Sequence, residues 1–203
     1  CSAITARENG IEEVVLVEKS HAGKTGPSAL VGGVFGLVEG AKGIVEHQEY
    51  LTDQKILEQI VALAPEVLSS LIKWGVNFVK SADGKFSTVY QRRSTSLTLD
   101  GGGIPMMNSL TGYAEKIGIK IVNWTMITDL LISDGKAVGA AGINCRTGEF
   151  VIFKSKTIIL STGGTVFKSR QPGHRNTTGD GFAAAYRAGA EIAGFDYSSP
   201  NVY

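Results

Sequence analysis

The sequence predicts a doubly wound α/β fold, in which helices pack on both faces of a mainly parallel sheet. Three observations support this prediction. The run Glu13–Val17 is almost wholly apolar and rich in β-branched residues, as is typical of a parallel strand that is buried on both faces. Strand-like segments joined by tight turns, at about residues 126–154, indicate an inserted β-meander. A helical excursion at about residues 46–80 lies between the two.

Composition and charge argue against several classes of protein. The 203 residues include 20 basic and 19 acidic ones, so no net field favours nucleic acid or an anionic membrane. Cys1 and Cys145 form neither a disulfide framework nor a paired metal motif, which fits a reducing compartment. No apolar run reaches the length of about 18 residues that spans a bilayer. We therefore predict a cytoplasmic protein without a metal site.

The first elements follow from apolar spacing and glycine. Cys1–Asn9 has the pattern of the end of a helix, with Gly10 able to adopt the left-handed conformation that closes it. The strand Glu13–Val17 comes next. His21–Gly43 is small and glycine-rich, and it predicts an ordered loop with a short helix laid against a ligand.

Helical spacing resumes at Thr52 and continues to Gly75, with a break into two helices predicted at Pro65. Either Thr52 or Asp53 would cap the first of them. A turn, a helix and a short strand are then predicted at Ser81–Gly84, Pro105–Ile117 and Ile119–Val122.

The β-meander consists of three predicted strands, Met126–Ile132, Ala137–Asn144 and Phe150–Phe153. The pairs Asp134-Gly135 and Thr147-Gly148 supply the positive φ angles that tight hairpins need. After it we expect a return to the parallel core at Thr157–Leu160 and a helix from about Gly179, with Phe182, Ala183, Tyr186 and Ala190 on one face.

Glu18 closes the first predicted strand. In nucleotide-binding α/β proteins an acid at this position binds the ribose hydroxyls, about 20 residues after a glycine-rich phosphate loop. No such loop precedes Glu18 here, so the alternative is a strand-end carboxylate in water. If the first interpretation holds, Lys19 and Ser20 begin a loop that crosses the cofactor.

The stretch "KTGPSALVGGV" is a second candidate. It carries a run of donors without bulky side chains, which are Thr25, Ser28 and the backbone amides of Ala29, Gly32 and Gly33. Such a run can lie against an isoalloxazine ring or a pyrophosphate. The alternative is a tight turn between packed elements.

The stretch "ILSTGGTVFKSRQPGHRNTTGDGFAAAYRAGAEIAGFDY" carries the most specific pattern. Its Thr-Gly-Gly turn and later Thr-Gly-Asp-Gly helix start resemble the flavoprotein family of succinate dehydrogenase and fumarate reductase, with L-aspartate oxidase and adenylylsulfate reductase flavoprotein. The order of Glu18, the loop to Gly33, the excursion and the meander agrees with that family. The resemblance implies a glutathione-reductase-like variant of the Rossmann fold.

The resemblance implies FAD as cofactor and a single partial FAD-binding domain over residues 1–203, truncated at both ends. Family members begin with a strand and a glycine turn, which we expect a few residues upstream of Cys1. Their substrate-capping domain would follow Tyr203. Covalently flavinylated members carry a histidine six residues before the Gly-Gly pair, where this sequence has Gly26. His21 lies too far upstream, so we predict a non-covalent flavin.

Further cofactor contacts are implied by the same resemblance. The strand residues that contact adenine through their backbone would be Thr125, Met126 and Ile127, which could equally be plain strand core. The two glycine motifs correspond to Thr162, Gly163, Gly164, Thr178, Gly179 and Asp180. Asp180 would bind the ribityl chain and could also cap its helix.

The substrate side carries fewer signals. Family members transfer hydride between flavin and a dicarboxylate, but Asp100–Gly103 lacks the arginine and histidine of their matching segment. We predict a small anionic substrate, with dicarboxylates as one class. His174 and Arg175 are candidate catalytic residues facing the flavin, while Arg92 and Arg93 would clamp an anion or form a solvated strand face.

The sequence thus predicts a fragment of an FAD-dependent oxidoreductase. An iron–sulfur or other electron-transfer subunit would be its partner, since the chain has no cysteine cluster. Two alternatives are an NAD-dependent Rossmann dehydrogenase and a non-catalytic flavin-binding subunit. The inserted meander argues against the first.

Overall fold

The computed structural model describes residues 1–30, 32–36, 41–47, 49–51, 53–91, 94–165 and 177–193. The chain divides into two compact units. The first unit consists of Cys1–Pro27 and Ala114–Tyr203, and the second consists of Ser28–Tyr113.

The described part of the chain contains both helices and strands. In chain order they are α1 (Ser2–Glu8), β1 (Val15–Val17), β2 (Val34–Gly36), α2 (Ala41–His47), α3 (Gln54–Lys73), β3 (Thr88–Gln91), β4 (Ser94–Thr98), α4 (Gly103–Lys116), β5 (Lys120–Val122), β6 (Thr125–Ser133), β7 (Lys136–Asn144), β8 (Phe150–Lys154) and α5 (Asp180–Arg187).

The first unit is built around a short parallel pair of strands. β1 pairs with β5 in the register Val15↔Lys120 to Val17↔Val122. Helix α1 precedes β1 and buries Ile4, which is 2% exposed. The Arg7 guanidinium donates a hydrogen bond from Nε to the Ile117 carbonyl at 3.0 Å, and this bond ties α1 to the segment before β5. The predicted parallel strand after α1 is confirmed, but it is not buried on both faces as predicted, because Val15 is 46% exposed.

The antiparallel β-meander of the first unit is also confirmed. Its strand order is β6-β7-β8. Asp134 and Gly135 adopt φ angles of 51° and 71° in the first turn, as a tight hairpin requires. Helix α5 is tied to β6, because Arg187 Nε donates to the Asp129 carboxylate at 2.8 Å. That hydrogen bond is the main reason that the pKa of Asp129 is lowered.

The second unit combines helices α2 and α3 with an antiparallel sheet of order β2-β4-β3. Phe78 lies at the centre of an aromatic cluster, with edge-to-face contacts to Phe35 and Phe86 at 5.9 Å each. No strand bounds were predicted in this region, where a strand face was expected only as one interpretation of Arg92 and Arg93, because short exposed strands such as β3 carry little apolar alternation.

The predicted break at Pro65 is wrong. Helix α3 runs from Gln54 to Lys73 with Pro65 inside it. Proline removes one backbone donor and crowds the preceding turn, but α3 buries Leu57 and Leu71 on either side of it. Burial of apolar side chains on both sides of the proline compensates for its cost. Asp53, one of the two predicted caps, accepts hydrogen bonds from the Lys55 and Ile56 amides.

Two predictions near the end of the chain are also wrong. The structure assigns no strand to Thr157–Leu160, where Ile159 is 62% exposed. In α5 the buried residues are Gly181 and Ala184, whereas the predicted face includes Tyr186, which is 71% exposed. The buried face is made of small residues because the side chain of Thr162 lies close against Gly181.

Within the described residues, every helix is too short or too polar to cross a bilayer. The same residues contain no cluster of three or more histidine, cysteine, aspartate and glutamate side chains suited to a metal ion.

Candidate functional site

The candidate site lies at the carboxyl end of the parallel pair in the first unit. The chain continues past β1 alongside the segment after β5. The Glu18 amide donates to the Val122 carbonyl at 2.9 Å, and the Thr125 amide donates to the Glu18 carbonyl at 2.9 Å. Ligands of open α/β sheets bind at the carboxyl ends of their strands, so Glu18 stands where such a ligand would bind.

The Glu18 carboxylate is partly available to a ligand. Its Oε1 accepts one hydrogen bond, from the Ser20 amide at 3.1 Å. Among the described residues nothing donates to Oε2. A carboxylate has about four acceptor positions, so Glu18 retains acceptors for the hydroxyl groups of a ligand.

The two glycine motifs pack against each other. Thr165 and Thr178 form an isolated antiparallel bridge. A Cβ atom at Gly179, which has φ of +76°, would lie 2.9 Å from Thr165 Oγ1, and one at Gly181 would overlap the side chain of Thr162. The glycines are therefore required by close packing of Thr162–Thr165 on the start of α5.

Lys19 joins the strand end to these motifs. Its Nζ donates to Asp180 Oδ2 at 2.6 Å and to Thr178 Oγ1 at 2.8 Å, and the Thr178 hydroxyl donates to Asp180 Oδ2 at 2.9 Å. Burial acts to raise the pKa of Asp180, but the hydrogen bonds from Lys19 and Thr178 and the charge of Lys19 outweigh it and lower that pKa. Asp180 is therefore held ionised.

Asp180 does not cap its helix as predicted. The N-cap of α5 is Gly179, and Asp180 is the first helical residue. Its carboxylate points to Lys19 and Thr178 because a charge-assisted hydrogen bond is stronger than a neutral one.

The remaining predicted residues of the first unit fall into two groups. Thr125 is 2% exposed and Met126 and Ile127 pair with β7, so all three are part of the strand. Thr25 Oγ1 donates to the His21 carbonyl at 3.3 Å. Gly26 and Gly164 have open space where a Cβ would be, which leaves their backbone accessible to a ligand.

Other predicted residues belong to the second unit. Ser28 is exposed and Ala29 is buried in a 3-10 turn. Gly32 is exposed, and the Gly33 carbonyl accepts the Leu99 amide at 2.7 Å. His174, Arg175, Arg92 and Arg93 lie outside the described residues.

Two features of this site were not predicted from the sequence. The pairing of Lys19 with Asp180 has no local pattern, because 161 residues separate the two in the chain. Trp124, a large aromatic residue next to the proposed adenine strand, was a visible signal that received no role.

The described residues suit a flavin dinucleotide. Glu18 offers free carboxylate acceptors, Gly164 and Gly26 have no side chain to cover their backbone, and Lys19 is paired with Asp180 at the start of α5. An acceptor for ribose hydroxyls and bare backbone for phosphates are features of dinucleotide sites in α/β proteins.

Comparison with known proteins identifies the family. Residues 1–198 match the model of a family described as FAD binding domain. An uncharacterized FAD-dependent oxidoreductase of Methanocaldococcus jannaschii is 29% identical over 94% of this chain and 38% of its own length. The fumarate reductase flavoprotein subunit of Mycobacterium tuberculosis is 29% identical over 95% of this chain and 35% of its own length. The chain thus spans little more than a third of these relatives.

Solved structures agree with this result. Mycobacterium smegmatis Sdh1 in complex with UQ1 has a TM-score of 0.78 and 25% identity, and covers 92% of this chain and 36% of its own. Adenylylsulfate reductase from Archaeoglobus fulgidus, at 21% identity, shares the fold, with a TM-score of 0.74 over 92% of this chain and 33% of its own.

These findings confirm the resemblance, the α/β fold class and FAD as the cofactor. They favour flavin over the nicotinamide alternative, since the matching family is defined by FAD. By its sequence over residues 1–198, the chain belongs to the FAD binding domain family.

Proposed function

We propose that the protein containing this chain is an FAD-dependent oxidoreductase that transfers hydride or electrons between FAD and a small anionic substrate. The observation that carries the proposal is the link from Lys19 to Asp180 and Thr178. It draws the acid-bearing strand end and the Thr-Gly-Asp-Gly motif together, as one extended dinucleotide would need. We place this site in a partial FAD-binding domain over residues 1–203, with the excursion and meander as insertions.

Each residue has a proposed task toward FAD. Glu18 would accept hydrogen bonds from the ribose, and Thr125–Ile127 would contact adenine. Asp180 would accept one from the ribityl chain. Donors toward the ring and pyrophosphate would be Thr25, Ser28 and the backbone amides of Ala29, Gly32 and Gly33. Bare backbone would come from Gly26, Gly163 and Gly164. The other proposed cofactor contacts are Lys19, Ser20, Thr162, Thr178 and Gly179. When bound, FAD supplies the hydride and electron chemistry.

The flavin would be held without a covalent bond. Gly26 occupies the position where the resemblance places a histidine in flavinylated members. His21 is exposed, and its Nδ1 lies 3.1 Å from the Ala22 carbonyl oxygen. Acid precipitation should therefore leave the flavin in the supernatant, and yellow colour retained in the washed pellet would contradict a non-covalent site.

The substrate and partners are inferred from the relatives. One is named a fumarate reductase flavoprotein subunit, and we propose a small anion with dicarboxylates as one class. Asp100–Gly103 lacks the cationic side chains of that family, so His174 and Arg175 stay the candidates for substrate contact. An iron–sulfur or other electron-transfer subunit would be the partner, and would also mediate any membrane association of a cytoplasmic protein.

The test begins with the protein expressed from its complete reading frame. It should purify with flavin absorption bands, and the released cofactor should be FAD by chromatography. Chemically reduced protein should be reoxidised by fumarate or another small anion and not by its methyl ester. Isolation of a nicotinamide nucleotide instead, or a flavin that no donor or acceptor changes, would overturn the proposal.

A further inference from the structure

Trp124 has an unusual backbone conformation in a tightly held position. Its φ angle is +59°, a left-handed conformation that bulky residues rarely adopt. The Trp124 amide donates to the Ser20 carbonyl at 2.8 Å, and its carbonyl accepts the Cys145 amide at 2.6 Å. Two segments from different parts of the first unit therefore clamp this residue. Strain of this kind persists where the surroundings impose it, and it concentrates at binding sites.

The indole ring is held as firmly as the backbone. The Arg146 guanidinium carbon lies 4.0 Å from the centroid of the indole, within the range of a cation–π interaction. The His21 ring lies 6.4 Å away at 88°, an edge-to-face contact. The Arg146 amide is itself bound to Asn144 Oδ1 at 2.9 Å. Arg146 and His21 thus restrain the indole from separate loops.

This restrained ring lies beside the residues proposed for the adenosine half of FAD. Thr125 follows it directly, and the Thr125 amide binds the Glu18 carbonyl at 2.9 Å. The indole is half-buried rather than a core side chain. Glycine would suit the backbone conformation better, and a half-buried ring contributes less apolar burial than a core one. The fold alone therefore gives a weak reason for tryptophan here.

We propose that Trp124 is a stacking platform for the adenine ring of FAD, with Arg146 holding the indole in position. The proposal rests on the FAD site described above and adds a specificity-determining residue to it. Any nucleic-acid base can stack on an aromatic side chain, because every base has a π-face. FMN and riboflavin have no adenine to stack, so the platform favours FAD over both.

The test compares flavins with and without adenine. FAD, ADP and riboflavin are titrated by calorimetry into apoprotein prepared from the complete protein. In Trp124→Gly the left-handed backbone is retained, and the Kd for FAD and for ADP should each rise about tenfold, in line with the loss of one base stack. Riboflavin binding should not change. Trp124→Phe should restore most of the affinity, and Arg146→Gln should give a smaller loss of the same pattern.

Phe150→Ala is the matched control, because Phe150 is an aromatic residue of the same unit that is 86% exposed on β8. It should leave every Kd unchanged. Circular dichroism and thermal unfolding establish that the variants fold, and Trp124→Gly should match the parent in both. Equal losses for FAD and riboflavin, or unchanged ADP binding, would overturn the platform while leaving the flavin site intact. Failure of the unsubstituted protein to bind FAD would instead overturn the proposed function.

Discussion

The Lys19 Nζ atom lies 2.6 Å from Asp180 Oδ2, and the two side chains are 35% and 31% exposed. This ion pair joins the loop after β1 to the first residue of α5. It is the direct link between the carboxylate-bearing strand end and the glycine motif 161 residues later. Loss of either partner should therefore affect the geometry of the whole candidate site.

The energy of this pair can be measured with a double-mutant cycle of Lys19→Ala and Asp180→Ala. We expect a coupling of about 0.5–1 kcal/mol in the free energy of unfolding, as for a partly exposed ion pair with good geometry. Urea unfolding provides the measurement. The Lys85–Asp83 pair is more exposed and its atoms lie 3.5 Å apart. A corresponding cycle of Lys85→Ala and Asp83→Ala should give a smaller coupling. Equal couplings would show that the first pair has no special role.

The same pair predicts a dependence of stability on pH. The pKa of Asp180 is lowered in the folded protein, because hydrogen bonds from Lys19 and Thr178 outweigh the opposing effect of burial. A carboxyl group whose pKa is lower in the folded protein than in the unfolded chain stabilises the fold at pH values above its unfolded pKa. This stabilisation is lost as the pH falls through the folded pKa. Asp180→Asn should therefore destabilise the protein at neutral pH and flatten its loss of stability below about pH 4. Parallel curves for the two proteins from pH 7 to pH 3 would contradict this.

Gly181 should tolerate no side chain. Because an added Cβ would overlap Thr162, Gly181→Ala should lower the free energy of unfolding by about 1–3 kcal/mol through overpacking. Gly112→Ala is the control, since Gly112 lies within α4 with open space at its Cβ position. That change should stabilise the protein by about 0.5–1 kcal/mol. Urea unfolding of both variants compares the two effects, and a neutral Gly181→Ala would mean that the two motifs are not tightly packed.

Glu18 should matter for the cofactor and little for the fold. Glu18→Gln replaces the carboxylate that would accept hydrogen bonds from the ribose hydroxyls with a neutral amide. We expect the Kd for FAD to rise about tenfold to hundredfold, because hydrogen bonds to a charged group are worth this much in affinity. Glu13→Gln is the matched control, because Glu13 is an exposed acid just before β1. Calorimetric titration with FAD provides the measurement. An unchanged Kd would show that Glu18 does not bind FAD and is a strand-end carboxylate in water.

Much of the fold could be predicted because its signals are local. The hairpin at Asp134-Gly135, the closure of α1 near Gly10 and the cap at Asp53 each depend on residues within a few positions. Where burial depended on distant partners, prediction failed. Pro65 stays inside α3 since packing at Leu57 and Leu71 outweighs its local cost, and α5 buries small residues because Thr162 lies against it.

The sequence by itself determined the parallel strand after α1, the β-meander with its first turn, and the positions of an acid and two glycine motifs typical of a flavin dinucleotide site. Only the tertiary structure decided that Lys19 binds Asp180, that Gly181 packs on Thr162, and that Arg146 and His21 both contact the indole of Trp124. The physical reason is one of range. Backbone preferences act over a few residues, whereas an ion pair, a close packing contact or a ring stack depends on which distant segments the folded chain brings within a few ångströms.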